Sequence, residues 1–198
     1  MVGYALSVRT AARLNMRDKL LNFVGFQIGW FACVLGGANG MPWLGPLVAL
    51  PVLAWHLLHA AAPAEALKLL ILAAIVGSLF DQTLLSFGWI QYPAAGWPAW
   101  LLPLWMATLW ALFASTLNVS LRWLHGRTVL AIVFGLTGGP LAYLGGQALG
   151  ALVLVEATPA LLALAVGWAL MMLVLLRLAS VFDGYQLDTA GSTRQKET

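Results

Sequence analysis

The chain has 198 residues, of which 62% are hydrophobic and 9% are charged. Water-soluble domains carry roughly 25% charged residues, so this composition excludes a soluble globule and predicts an integral membrane protein. The formal net charge of +3 does not indicate nucleic acid, because the cations flank apolar runs, where anionic lipid headgroups are the expected counter-charge. One cysteine and three histidines give no zinc pattern, and no cofactor motif is present, so we expect neither metal nor cofactor.

Six apolar runs, separated by short connectors, follow one another along the chain. They predict an all-α polytopic protein, a compact bundle of six transmembrane helices over residues 20–39, 43–60, 66–90, 99–123, 128–150 and 159–180. We expect residues 1–19 to be a cytoplasmic segment, 20–180 to be the transmembrane domain, and the polar residues 181–198 to be a disordered cytoplasmic tail.

All Lys and Arg residues fall on one side of this six-span arrangement. The first, third and fifth connectors contain no cation. Because Lys and Arg near span ends are retained in the cytoplasm, both termini are predicted to be cytoplasmic. The cations lie in the N-terminal segment, the second and fourth connectors, and the C-terminal end: Arg9, Arg13, Arg17, Lys19, Lys68, Arg122, Arg127, Arg177, Arg194 and Lys196.

Small residues mark two of the spans. Gly25, Gly29, Cys33 and Gly37 form a stripe at four-residue spacing in the first span, which predicts close packing against another helix. The fifth span contains Gly138-Gly139-Pro140 near its middle. Because proline removes a backbone donor, we predict a helix break or kink there, which either offers carbonyls to a ligand or is packed internally.

Asp81 is the acid that lies deepest in the predicted third span. Placing Asp at such a depth costs roughly 2.5–3.5 kcal/mol on insertion scales, so a partner or a function is expected. Lys68 lies on the same helix, but about 20 Å away along its axis. Asp81 is therefore predicted to be protonated, or held by neutral donors or a bound cation. Tyr143 of the fifth span lies at a similar depth and is the candidate donor.

A second polar layer is predicted nearer the cytoplasmic side. It contains His56 and Asn118, which either line a ligand pocket or hydrogen-bond between helices. About 10 Å of axial separation argues against a direct contact between His56 and Asp81. The candidate ligand-binding residues are Asp81, Tyr143, Gln27, Trp30, His56 and Asn118.

Several short motifs distributed over the spans resemble a known family. They are Asn22-Phe23, Phe26-Gln27-Ile28-Gly29-Trp30-Phe31, Pro42-Trp43-Leu44-Gly45-Pro46, Asp81, Thr116-Leu117-Asn118, Ser120-Leu121-Arg122-Trp123 and Gly139-Pro140-Leu141-Ala142-Tyr143. With these motifs, the chain resembles the uncharacterised bacterial inner-membrane family DUF2878 over about residues 16–180. The resemblance implies a small polytopic protein of a Gram-negative inner membrane. Genes of such proteins often neighbour lipid-modifying genes, so membrane lipids and a membrane or lipid-modifying protein are the expected partners. It brings no established activity, so whether the protein is an enzyme is left open.

Three functions agree with these features. The leading hypothesis is binding or handling of a lipid-like or amphiphilic ligand in an intrabundle pocket around Asp81, which would be the general acid if chemistry occurs. The second is a small permease, with the Gly138–Pro140 break as its gate and Asp81 as a proton or cation site. The third is a non-catalytic membrane partner or adaptor of a lipid-modifying system.

Overall fold

The computed structural model describes residues 14–93 and 97–185. Within them the fold is all-α, as predicted, with one short antiparallel strand pair in which Ile90 faces Leu154 and Gln91 faces Val153. The elements are α1 (Met16–Ala38), α2 (Leu44–His59), α3 (Pro63–Ser86), β1 (Ile90–Gln91), α4 (Leu104–Leu117), a 3-10 helix (Arg122–Leu124), α5 (Thr128–Ala148), β2 (Val153–Leu154) and α6 (Ala157–Val181).

Local signals explain where several helices begin and end. Asn15 and Asp18 form a reciprocal capping box at the start of α1, with hydrogen bonds of 2.9 and 3.0 Å between side chains and backbone N–H groups. Pro63 occupies the first turn of α3, where its missing N–H is not needed. Pro103 immediately precedes α4.

The fourth helix is shorter than the predicted span. The apolar run 99–123 forms a helix only over Leu104–Leu117, because Pro103 delays its start and the chain leaves α4 through turns into the 3-10 helix. The third helix lies earlier than the predicted 66–90 and ends at Ser86, just before Gly88, whose φ is +72°. The other four helices lie within a few residues of their predicted bounds.

The predicted flanking segments lie partly outside the described residues. Of the N-terminal segment 1–19, residues 1–13 are not described, and α1 already begins at Met16. Of the tail 181–198, residues 186–198 are not described. Asp183, Gly184 and Tyr185 make defined hydrogen bonds to the bundle, so the predicted disorder does not hold at the start of the tail.

Helix α4 is the centre of the bundle. It contacts α1, α2, α3 and α6, and most of its residues are buried, whereas α5 packs chiefly on α6. The predicted small-residue stripe of α1 faces protein, since a Cβ at Gly29 would lie 2.6 Å from Leu112 of α4. A Cβ at Gly37 would likewise lie 2.8 Å from Trp105. The stripe therefore brings α1 close to its neighbours.

The predicted break in the fifth span is absent, because α5 runs without interruption from Thr128 to Ala148 with Pro140 inside it. Its glycines serve close packing instead. A Cβ at Gly139 would lie 2.2 Å from the Trp168 ring, and a Cβ at Gly135 would lie 2.4 Å from the Trp168 carbonyl oxygen. Since α6 approaches so closely, it supports a helix that proline alone would weaken.

The two ends of the bundle differ in composition. One end of the bundle carries the described Lys and Arg residues, and we call it the basic end. Its segments are joined by hydrogen bonds from Asn22 to the Ser115 carbonyl and from the Ala62 N–H to the Gly184 carbonyl. The strand pair and four Trp residues lie at the opposite end. These residues are Trp43, Trp89, Trp97 and Trp100.

The outer surface of the bundle is apolar. Leu47, Leu141 and Leu162 are each about two-thirds exposed, and several other large apolar side chains are exposed on each of α1, α2, α3, α5 and α6. Four helices, α1, α3, α5 and α6, are long and apolar enough to cross a membrane. Helices α2 and α4 are equally apolar but shorter.

Candidate functional site

Asp81 is fully buried where α3, α4 and α5 meet. The Tyr143 hydroxyl of α5 donates a hydrogen bond to Oδ1 of its carboxylate. The Trp110 indole Nε1–H of α4 donates to Oδ2 at 2.6 Å. Among the described residues Asp81 forms no ion pair. The structure thus places Asp81 and Tyr143 in contact, as their depths predicted, and both carboxylate oxygens accept from neutral donors.

Two neighbouring residues hold Trp110 in position. Gly77 lies one turn before Asp81 on α3, and a Cβ there would lie 2.0 Å from the Trp110 ring, so only glycine admits the indole. On its other side, Trp110 stacks on Trp168 of α6, with ring centroids 4.7 Å apart and planes 20° apart. The indole is therefore clamped between α3 and α6 with its N–H directed at Asp81.

A cavity of about 390 Å³ lies beside this cluster, between α1, α4 and α5. Of the predicted ligand-binding residues, Gln27, Trp30 and Tyr143 line it. Asp81 does not line the cavity, because Tyr143 and Trp110 stand between its carboxylate and the open space. The remaining walls are apolar and rich in aromatic rings: Phe26, Val34, Trp105, Met106, Leu109, Trp110, Phe113, Phe134, Gly138, Leu141, Ala142, Gly146, Leu152 and Trp168.

His56 lies away from this cavity, near the basic end of α2. The Tyr185 hydroxyl donates to the His56 carbonyl at 2.6 Å, and His56 Nδ1 lies 3.0 Å from the same hydroxyl oxygen. Because the phenol has one proton, His56 Nδ1 is the donor in the second bond. The ring that was predicted to line a ligand pocket instead anchors the chain after α6.

Asn118 also lies outside the cavity, at the end of α4. Its amide Nδ2 donates to the Ala179 carbonyl at 3.0 Å and to the Phe182 carbonyl at 3.4 Å. Its backbone carbonyl accepts from Arg122 Nε at 2.8 Å. These bonds join α4 to the end of α6, which matches the structural alternative considered for Asn118 from the sequence.

Trp110 is the residue of this cluster that the sequence analysis missed. Its indole is the donor from α4 that completes the hydrogen bonding of Asp81. The sequence did contain a signal for this contact, because Trp110 carries one N–H donor and lies in the outer half of the predicted fourth span, at about the depth of Asp81. Trp110 is also part of the hydrophobic core.

The fold and the site together define a class of protein. An apolar outer surface and four helices long enough to cross a bilayer make it an integral membrane protein with an all-α fold. Among residues 14–93 and 97–185, no three His, Cys, Asp or Glu side chains are grouped so that they could hold a metal ion.

The chain belongs to the DUF2878 family of proteins of unknown function, whose family model matches residues 19–174. The predicted family resemblance is thereby confirmed. No curated protein and no solved structure matches the chain.

Proposed function

We propose that this membrane protein binds a lipid-like or small amphiphilic ligand in the cavity between α1, α4 and α5. The observation that carries the proposal is the position of Tyr143 and Trp110, both hydrogen-bonded to Asp81, in the wall of a cavity whose lining is otherwise apolar except for Gln27. A cavity of about 390 Å³ lies within the range of small-molecule sites, roughly 300–1,000 Å³.

The lining determines which ligand would suit the cavity. The Tyr143 proton is donated to Asp81, so the phenol oxygen keeps lone pairs that can accept a hydrogen bond from a ligand. Gln27 adds an amide with both a donor and an acceptor. The rest of the lining is almost wholly apolar. The matching ligand has an apolar body and one polar group, such as a hydroxyl or amide.

Asp81 acts in this proposal as a positioning residue. It does not reach the cavity, but its carboxylate fixes the hydroxyl of Tyr143 and the indole of Trp110, which do. Both oxygens already accept hydrogen bonds, so Asp81 is better suited to orienting these two side chains than to receiving a cation or acting as a general acid.

We further propose that all six helices cross the inner membrane of a bacterium, with both termini cytoplasmic. Helix α4 is only about 21 Å long, less than a hydrocarbon core of roughly 30 Å. The non-helical backbone at either end of α4 is hydrogen-bonded by side chains of the longer helices α3 and α1. Gln82 Oε1 accepts from Leu102 N–H at 2.8 Å, and Asn22 Oδ1 accepts from Ser120 N–H at 3.3 Å. Such bonding allows non-helical segments at membrane depth.

Two further observations support this arrangement. Every described Lys and Arg lies at the basic end, whose cytoplasmic placement follows from the retention of cations near span ends. The Trp residues of the opposite end would lie at the periplasmic interface, where an indole can place its N–H among wet headgroups. On this proposal the chain divides into a cytoplasmic segment 1–19, a membrane domain 20–180 and a cytoplasmic tail 181–198.

The permease hypothesis receives less support. Its gate was the break at Gly138–Pro140, and α5 is continuous there. Its ion site was Asp81, whose oxygens are both occupied by protein donors. An adaptor of a lipid-modifying system would need no ligand in the cavity. Measuring whether the purified protein retains a bound ligand therefore distinguishes an adaptor from a ligand-binding protein.

The test is native mass spectrometry of the purified full chain, with lipids retained from the membrane. Gly138 lines the cavity, and the atoms nearest to a Cβ there are 3.8 Å away on Phe134, so Gly138→Leu should fill the space without a backbone clash. Thr137→Leu is the matched control, because Thr137 is its exposed neighbour on the same helix. Melting temperatures establish that both variants are folded.

We expect the wild type and Thr137→Leu to retain one lipid-sized adduct, and Gly138→Leu to lose most of it. A wild type without any adduct, or equal occupancy in all three proteins, would overturn the proposal.

A further inference from the structure

A second cavity, of about 290 Å³, lies at the basic end between the start of α5 and the last turns of α6. It differs from the first in its chemistry, because charged and polar side chains from two separate elements line it. Arg127 and Thr128 come from the start of α5, and Arg177 and Ser180 come from α6. His125, which lies in the connector before α5, also lines the cavity.

The two arginines of this cavity have no counter-charge among the described residues. Arg122, which lies nearby in sequence, is paired with Asp183 at 2.7 Å, whereas neither Arg127 nor Arg177 forms an ion pair in that part of the chain. None of the described carboxylates lines the cavity. Asp18 caps α1, Glu65 pairs with Lys68, Asp81 is held by Tyr143 and Trp110, Asp183 pairs with Arg122, and Glu156 lies at the opposite end.

The backbone adds positive potential at the same place. Arg127 is the residue before α5, and no side chain caps this helix. The first N–H groups of a helix of 21 residues have no partner within the helix and carry its partial positive charge. Two exposed arginines and a helix start without a side-chain cap therefore border one cavity, and anions are the ligands that such a combination favours.

The connector that carries Arg127 is held in a defined conformation. His125 Nε2 lies 3.1 Å from the Leu117 carbonyl oxygen, which can only accept, so Nε2 is the donor. Gly126 follows with φ +75°, a left-handed conformation that glycine adopts without strain. The Arg127 N–H then donates to the Leu124 carbonyl at 3.0 Å. The cavity is thus preformed rather than assembled by a loose loop.

We propose that this cavity is a phosphate-binding site, with Arg127 and Arg177 as the two cationic ligands and the start of α5 as a third source of positive potential. Guanidinium groups bind phosphate oxygens through paired, charge-assisted hydrogen bonds. The shared chemistry is a phosphate group, supplied either by an anionic lipid headgroup at the membrane surface or by phosphate free in solution. The site is separate from the cavity beside Asp81 and does not depend on the function proposed for that cavity.

The experiment measures binding to the purified full chain in a neutral detergent, at fixed ionic strength, with two probes. Dioctanoyl phosphatidic acid represents the lipid source, and inorganic phosphate represents the free source. The variant is Arg127→Gln with Arg177→Gln, and the matched control is Arg17→Gln, an exposed cation at the same end that does not line the cavity.

We expect the double variant to weaken binding of at least one probe about tenfold or more, and Arg17→Gln to leave it within about twofold. Arginine-dependent binding of the lipid alone assigns the site to a headgroup. Equal arginine-dependent binding of both probes assigns it to free phosphate. Binding that is insensitive to the double variant, or that Arg17→Gln weakens equally, would overturn the proposal. Matching melting temperatures without probe exclude loss of fold as the cause.

Discussion

The carboxylates of Asp183 and Asp81 are stabilised differently, the first by an ion pair and the second by neutral hydrogen-bond donors. The difference follows from how deeply each residue lies in the bundle. Asp183 lies at the basic end and pairs with Arg122, with both side chains partly exposed at 12% and 21%. Asp81 is fully buried inside the bundle, where Tyr143 and Trp110 supply neutral hydrogen bonds. A cation brought to Asp81 would have to lose its water, whereas one at the basic end keeps much of it.

The two arrangements also serve different parts of the molecule. The Asp81 cluster connects α3, α4 and α5 beside the cavity between α1, α4 and α5, so it controls the shape of that space. The Asp183 pair fastens the end of α6 to the segment after α4. We therefore expect changes near Asp81 to cost more stability than changes at the basic end, and only the former to disturb the cavity.

The largest effect should come from Asp81→Ala. It leaves the Tyr143 hydroxyl and the Trp110 N–H buried without their acceptor, at a cost of about 4 kcal/mol in the free energy of unfolding. Asp81→Asn keeps one acceptor oxygen and should lose about half as much. Unfolding in mixed micelles would measure both. Equal stability of Asp81→Ala and the wild type would mean that the cluster contributes nothing.

Gly77→Ala should follow, although it changes no polar group. The added Cβ would lie 2.0 Å from the Trp110 ring and must push the indole away from Asp81, so we expect a loss of about 3 kcal/mol. The matched control is Gly138→Ala, where the nearest atom lies 3.8 Å from the new Cβ. That control should be neutral or slightly stabilising. Equal effects of the two substitutions would contradict the close contact.

At the basic end, Arg122→Gln should cost about 1.5 kcal/mol. It removes the ion pair with Asp183 and a hydrogen bond to the Asn118 carbonyl, both partly exposed to solvent. Lys68→Gln, which breaks the exposed pair with Glu65, is the control and should leave stability unchanged within error. If Arg122→Gln destabilises the protein more than Asp81→Ala does, the comparison between the two carboxylates is wrong.

The smallest effect should come from Tyr185→Phe, at about 1 kcal/mol, through the lost bonds to His56. Burial, and secondarily the Asp18 carboxylate, raises the pKa of the Tyr185 phenol above its ordinary value of 10.0. A raised folded-state pKa makes this contribution fully present below about pH 10 and lost as the pH rises above that value. The difference in melting temperature between wild type and variant should therefore shrink in alkaline buffer. A constant difference would contradict the assignment.

The sequence predicted the all-α fold, and depth alone predicted the contact between Asp81 and Tyr143. Depth gives a height along a helix, but it does not give the direction in which a side chain points or which helices are neighbours. Trp110 was missed for that reason, since its contact with Asp81 depends on α4 lying at the centre of the bundle. His56 and Asn118 were grouped with the pocket for the same reason, although their partners lie at the end of α6 and in the segment after it.

The region Gly138–Pro140 agrees with the internally packed alternative and not with an open break, since α5 is continuous there. Proline and glycine weaken an isolated helix, and the prediction used only that local property. In the bundle the same region admits Trp168 of α6, so packing between helices overrides local propensity. Such packing depends on the partner helix, which the residues of the fifth span alone do not specify.

The central claim is that the cavity beside the Asp81 cluster binds a lipid-like ligand. The most direct measurement uses a fatty acid with a diazirine in its chain, photo-crosslinked to the protein in membranes, with labelled residues mapped by mass spectrometry. We expect labels on Met106 and Leu109, which line the cavity on α4, and their loss in Gly138→Leu. Labels confined to bilayer-facing residues such as Leu47 and Leu162, with none on Met106 or Leu109, would contradict the claim.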